Sequence, residues 1–366
     1  MRFRPPCKLA AAALCALAAA LLLPSLAAAA AAADATAADT AGLRCADTSF
    51  AVHLSATDSH VYTVYGELCS RGALEHKTIQ LALHGATYSH LYWDFPFQPA
   101  LYSYVRWATT AGYAVLAVDR IGIGRSDHPP ADQVTIESNA YVVHQIVQAL
   151  RSGSLVVPSF GRVRAARVAL VGHSLGSLVS IQEAATFDDV DGVVLTGISH
   201  TVTAALGEVS FGPANLDPHF AGRGIPDGYV TTLPGTRTIF YNAPFYDPRV
   251  LAVDEQNKET VTIAELNTGV PALSFSTGIH VPVLVMVGDD DAAFCNPPSC
   301  TASGSLATEP SFYPPDACAE AVAIPGSGHV LNLHYSATLT YVTLLGWLDR
   351  RVGRDAARPA PEPCRP

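Results

Sequence analysis

Residues Arg167–Phe187 read RVALVGHSLGSLVSIQEAATF. The apolar run Val168–Val171 leads straight into Gly172-His173-Ser174-Leu175-Gly176, and a helix-length segment follows. A serine hydroxyl is a poor nucleophile unless a base takes its proton during attack. It must also project clear of its own backbone. A tight turn from strand to helix achieves that, in a strained conformation that leaves little room for neighbouring side chains. Gly172 and Gly176 supply the room, whereas a buried core serine or a plain turn needs no such pair. Strand before and helix after make the G-x-S-x-G pattern informative, so the stretch predicts an elbow that presents Ser174 as a nucleophile.

Working outward, the chain alternates short apolar runs with helix-length segments. The runs are TIQLALHG, YAVLAVDR, RVALVGHS, GVVLTGIS and VPVLVMVGDD. Continuous rather than alternating apolar runs suit strands buried on both faces of a parallel sheet. Ligand chemistry on such sheets gathers at the carboxyl ends of the strands, which is where this chain keeps its glycines and polar residues. The predicted fold class is therefore α/β, a mostly parallel central sheet flanked by helices. FAVHLSA and HVYTVYGELC alternate instead and predict an antiparallel entry hairpin. The core is expected over 46–199 and 276–352. Residues 200–275, dense in Gly, Pro and aromatics, read as a cap inserted between the last strands, since loops that long in compact domains are usually functional. LNLHYSATLTYVTLLGWLDRRV has helical spacing and looks like the closing helix, and 353–366 read as a flexible Pro-rich tail.

Residues 1–33 stand apart. Arg2, Arg4 and Lys8 precede an Ala/Leu run and a series of small-residue sites, the layout of a secretory signal peptide. The alternative is an uncleaved membrane anchor, and membrane contact is expected only through such a leader. Export fits the cysteines. Beyond Cys7 and Cys15, six remain (Cys45, Cys69, Cys295, Cys300, Cys318 and Cys364), an even number that suggests disulfides. Cys45 with Cys69 is the favoured pair, separated by a hairpin-length segment. One bridge is expected among Cys295, Cys300 and Cys318, with the partner of Cys364 left open. No C-x-x-C spacing points to zinc or dithiol chemistry. The formal charge of −10 argues against a nucleic-acid partner, which needs a basic face.

With the elbow, the strand pattern and the late Gly-Ser-Gly-His stretch, the chain resembles the α/β-hydrolases over roughly residues 46–350. That resemblance implies the chain order nucleophile, acid, histidine. His329, in AVAIPGSGHVLNLH, matches the family's histidine loop, while His334 and His173 are read as structural. The acid falls in VPVLVMVGDDDAAFC, where the family pattern of a glycine, two variable residues and then the acid selects Asp291, with Asp289 as the alternative. An oxyanion hole is implied from the backbone N–H of Leu175 and of Ala86 in LHGATY, with Thr87 the alternative for the second donor. His84 is expected to brace that loop.

VLAVDRIGIGRSD carries Gly122-x-Gly124, a partial dinucleotide fingerprint. Asp127 stands where the third glycine belongs, and His128-Pro129-Pro130 block a phosphate-binding helix start. No nucleotide and no cofactor or metal are expected. A serine at the elbow implies acyl transfer, with a small ester or lactone, apolar in character, as the expected substrate. The cap aromatics Phe211, Phe220, Tyr229, Phe240, Tyr241, Phe245 and Tyr246 could line its site or pack the cap's own interior. An acyltransferase with the same residues and a non-catalytic binding protein on this scaffold are the rival readings.

Overall fold

The computed structural model describes residues 42–366 except 296–299, 302–303, 361, 363, 365 and 366. The leader expected over 1–33 lies outside the described residues. Eight strands form one sheet: β1 (Leu43–Val52), β2 (Tyr62–Arg71), β3 (Ile79–Leu83), β4 (Ala114–Val118), β5 (Val168–His173), β6 (Gly192–Thr196), β10 (Val283–Gly288) and β11 (Glu320–Ile324). Between β6 and β10 the cap contributes β7 (Phe211–Pro213), β8 (Tyr229–Thr232) and β9 (Val261–Thr262) as a separate small antiparallel sheet. The large sheet runs β1-β2-β4-β3-β5-β6-β10-β11. Every neighbouring pair from β4 to β11 is parallel, and β1 and β2 enter antiparallel.

Side chains alternate across the sheet at period two. Val168 and Leu170 of β5 join an apolar cluster with α2 (Ile136–Ser152) and α3 (Leu175–Phe187). Ala169 and Val171 join the opposite cluster with α1 (Tyr104–Thr110) and α6 (Ala337–Arg351). Because both faces are covered, polar positions are few, Gln80 of β3 accepting from the Tyr104 hydroxyl at 2.5 Å, and the runs are otherwise apolar. Each fully buried Val or Leu contributes roughly 1.5–3 kcal/mol. Helix α2 is delimited as its sequence dictates: Thr135 and Ser138 form a reciprocal capping box, and Gly153 ends it at φ 72°.

Two details depart from expectation. The first strand begins at Leu43, seven residues before the alternating stretch, because Cys45 sits directly opposite Cys69 and is bonded to it. The other bridges are Cys295–Cys300 and Cys318–Cys364. The segment expected as a free tail is held to the domain. Ala356 N–H donates to the His76 carbonyl at 2.6 Å, Arg167 reaches the Arg358 carbonyl at 2.7 Å, and the Cys318 bond holds Cys364. Proline removes backbone donors from this segment, but side chains and a disulfide fasten it. Among the described residues, no helix is long and apolar enough to cross a membrane.

Candidate active site

Strand β5 delivers Ser174 at φ 51°, ψ −118°, a conformation costly for a residue with a Cβ and sustained only by its surroundings. The two glycines are required by contact. A Cβ on Gly172 would lie 2.6 Å from the Ser177 Cα, and one on Gly176 2.3 Å from the Leu83 carbonyl oxygen. Ser174 Oγ lies 2.9 Å from His329 Nε2, and His329 Nδ1 lies 3.0 Å from Asp291 Oδ2. The three expected side chains thus form one hydrogen-bonded series, across 155 residues between serine and histidine.

Each member is held by a second set of contacts. Asp291 is fully buried, and its other oxygen accepts the backbone N–H of Ala293 at 3.0 Å and of Phe294 at 3.2 Å. Asp289, the alternative acid, instead accepts the Gly326 N–H at 2.9 Å, and Asp290 is exposed. The histidine loop is braced by His334. Its Nε2 accepts from the Gly328 and Asn242 N–H groups at 3.1 and 2.9 Å, and its Nδ1–H donates to the Val330 carbonyl at 2.8 Å. That pattern requires the neutral ring, and burial draws its pKa down to about 4. His173 stacks on Tyr92 at 4.2 Å, and burial keeps it well below its ordinary pKa, so no cation forms beside His329.

The loop after β3 carries Gly85, Ala86 and Thr87. Neither Ala86 nor Leu175 donates its N–H to another backbone group among the described residues, whereas the Thr87 N–H is engaged by the Thr260 carbonyl at 3.3 Å. The Ala86 N–H is thus unengaged by backbone while the Thr87 N–H is taken. His84 Nε2 accepts the Arg120 N–H at 3.1 Å, and burial lowers its pKa to about 3.

Two buried ion pairs fix this loop from the cap side, and the sequence offered no signal for either. Arg237 donates to Asp254 at 2.7 and 3.0 Å, lies 4.2 Å over the Tyr88 ring, and donates from Nη1 to Thr87 Oγ1 at 2.9 Å. Arg120 bonds the His84 carbonyl at 3.0 Å, Asn139 at 3.0 Å and Glu265 of the cap helix α5 (Ile263–Gly269). Asp254 belongs to α4 (Pro248–Gln256), also in the cap. The Gly122-x-Gly124 stretch forms a structural loop. Buried Asp119 accepts the N–H of His90 at 2.8 Å and of Arg125 at 2.9 Å.

Ser174 and His329 open onto a cavity of about 560 Å³ walled by Leu178, Leu206, Phe211, Phe240 and Leu266. Of the seven cap aromatics, Phe211 and Phe240 face it. Phe220, Tyr229 and Tyr241 are buried in other packing, Tyr246 packs against Tyr241 with the rings tilted, and Phe245 is half exposed.

The model of the Alpha/beta hydrolase family matches residues 81–339. The chain belongs to that family. No curated protein sequence matches it. Among solved structures, this family member is similar to an esterase from Thermogutta terrifontis, at 19% identity and a TM-score of 0.51, covering 82% of this chain and 98% of that one. It is similar to a bromoperoxidase from Bacillus anthracis at 16% and 0.54, covering 82% and 99%. A monoacylglycerol lipase from Paleococcus ferrophilus stands at 17% and 0.50, covering 78% and 98%. Identities this low speak for the shared fold.

Proposed function

We propose that this α/β-hydrolase is an exported serine hydrolase that cleaves carboxylic esters or lactones through an acyl-enzyme. The observation that carries the reading is the series Ser174–His329–Asp291, at 2.9 and 3.0 Å, opening onto an apolar cavity. Ser174 Oγ attacks the ester carbonyl carbon while His329 Nε2 takes the hydroxyl proton. The resulting oxyanion accepts hydrogen bonds from the Ala86 and Leu175 N–H groups. Collapse expels the alkoxide, which leaves as alcohol with the proton from His329. Water, deprotonated by the same imidazole, then attacks the acyl-enzyme and releases the acid. Asp291 keeps the proton on Nδ1 and stabilises the imidazolium. The preference for apolar groups rests on the cavity wall, and export rests on the leader pattern with three disulfides. The domain reading is a core over 46–199 and 276–352 with 200–275 as the cap.

The test is a panel of p-nitrophenyl esters of rising acyl length, with several lactones. Turnover is expected, and Ser174→Ala should lower kcat by about 10⁴–10⁶-fold and abolish fluorophosphonate labelling. A folded protein with no turnover across the panel, or an active Ser174→Ala variant, overturns the proposal.

A further inference from the structure

Far from the cavity, the last turn of α3 and the middle of α2 bring together three potential ligands that the reaction does not use. Glu183 of α3 is fully buried, and among the described residues neither of its carboxylate oxygens accepts a hydrogen bond from a neighbouring donor. Asp189, two residues beyond the helix, also has one oxygen unpartnered. His144 of α2 places Nδ1 2.7 Å from the other Asp189 oxygen, and its ring is fixed by stacking on Phe187 at 4.0 Å. Donor atoms of all three lie within 4.8 Å of one another. The neighbouring guanidinium is engaged elsewhere: Arg151 donates to the Asp189 main-chain carbonyl and, at 2.6 Å, to Asp191.

A buried carboxylate carries its charge at a cost of several kcal/mol unless something compensates it. Burial and the Asp189 carboxylate beside it raise the Glu183 pKa well above its ordinary value, and the proton held between the two is what a metal ion would displace. Asp189 also stands just past the C-terminal end of α3, where the helix dipole disfavours negative charge and favours a cation. We propose that His144, Glu183 and Asp189 form a binding site for a divalent metal ion of the zinc type. One imidazole with two carboxylates suits zinc, whereas calcium and magnesium take all-oxygen sets. Ligand bonds of about 2.0–2.2 Å set tetrahedral donor–donor distances near 3.3 Å. Binding therefore needs the His144–Asp189 contact to open by about 0.6 Å and the other donor pairs, which lie within 4.8 Å, to settle to the same spacing. Gln148 donates to Asp189 at 2.7 Å, and rotating its amide would present the oxygen as a fourth ligand. Partial exposure of His144 and Asp189 gives the ion a route from solvent. Glu183 lies nine residues beyond Ser174, about 13 Å along the helix axis. The ion's role is accordingly to fasten α3 to α2, with no part in acyl transfer.

The experiment is calorimetric titration of the untagged, chelator-treated protein, disulfides intact, with zinc, magnesium or calcium chloride, alongside thermal melts. One equivalent of zinc is expected to bind and to raise Tm, with magnesium and calcium inert and p-nitrophenyl ester kcat unchanged. Glu183→Gln, nearly isosteric, and His144→Gln, at a partly exposed position, should each weaken zinc by more than the ~10–100-fold that loss of an outer partner costs. Circular dichroism checks that each is folded. Absence of stoichiometric zinc uptake by the parent protein overturns the proposal, as does uptake undiminished in a folded variant of either residue.

Discussion

Replacing Asp254 by Asn probes how the cap governs the loop that carries Ala86. Asp254 accepts two hydrogen bonds from Arg237, one from the Tyr241 hydroxyl at 2.8 Å and a longer one from Tyr88 at 3.3 Å. Arg237 has no exposed surface, so the variant leaves a guanidinium buried opposite an amide that offers one acceptor and an N–H₂ facing donors. Breaking such a pair from one side costs about 3–5 kcal/mol. For an ordered unit of roughly 320 residues, unfolding entropy of about 0.7 kcal/mol/K converts 4 kcal/mol into a Tm drop of about 6 °C. Arg237 also donates to Thr87 in the loop beside Ala86. A loop shift of about 1 Å costs on the order of 10² in rate, so kcat on p-nitrophenyl acetate should fall by that factor with KM little changed. The double variant Arg237→Met/Asp254→Leu removes both charges and should recover most of the lost Tm. It should not recover kcat, because Thr87 still lacks its donor. Scanning calorimetry and steady-state kinetics read both quantities. An Asp254→Asn protein with parental Tm, or a double variant with parental kcat, would refute the coupling.

Other expectations follow from the same contacts. Asp291→Asn should leave Tm nearly unchanged while kcat falls by about 10⁴-fold, since the amide no longer selects the productive imidazole tautomer; retention of more than a tenth of the rate in steady-state assays counts against that role. Gly176→Ala places a methyl 2.3 Å from the Leu83 carbonyl oxygen, so ester turnover and Tm should both drop, and a fully active variant contradicts the packing. His84 and His334 are held neutral in the fold, with pKa values of about 3 and 4 against 6.5 when unfolded. Below pH 6.5 the unfolded chain therefore binds protons that the native form does not, and stability falls with pH from 6.5 towards 4, by up to about 1.4 kcal/mol per pH unit for each ring. Melts across that range should show the decline, with a shallower slope in His334→Gln; an identical slope removes His334 from the account.

Local signals and long-range ones differ sharply in how far the sequence revealed them. The strands were readable because Val168–Val171 and Val283–Val287 are buried on both faces, and that burial imposes an unbroken apolar run. Ser174, Asp291 and His329 were readable because each sits in a short loop with a glycine or acidic pattern of its own. Arg237, Asp254, Arg120 and Glu265 carry no such pattern. Their meaning comes from pairing across the cap, and in the linear chain they resemble ordinary surface charges. His334 was legible as structural, but one of the two backbone N–H groups it accepts from belongs to Asn242, ninety-two residues away. The pairing of Cys318 with Cys364 was hidden because the chain's last turns pack against the domain through contacts that proline-rich composition conceals.

The cap's hold on Thr87 also decides how substrate must reach Ser174. The Thr260 carbonyl, the Glu259 N–H and Arg237 all grip that one residue, so a lid swinging aside would pull on the loop that carries Ala86. On the proposed mechanism, substrate should therefore enter with the cap in place. Rate against ester concentration should follow a simple hyperbola through the solubility limit, without the jump at droplet formation that marks enzymes switched on by an oil–water boundary.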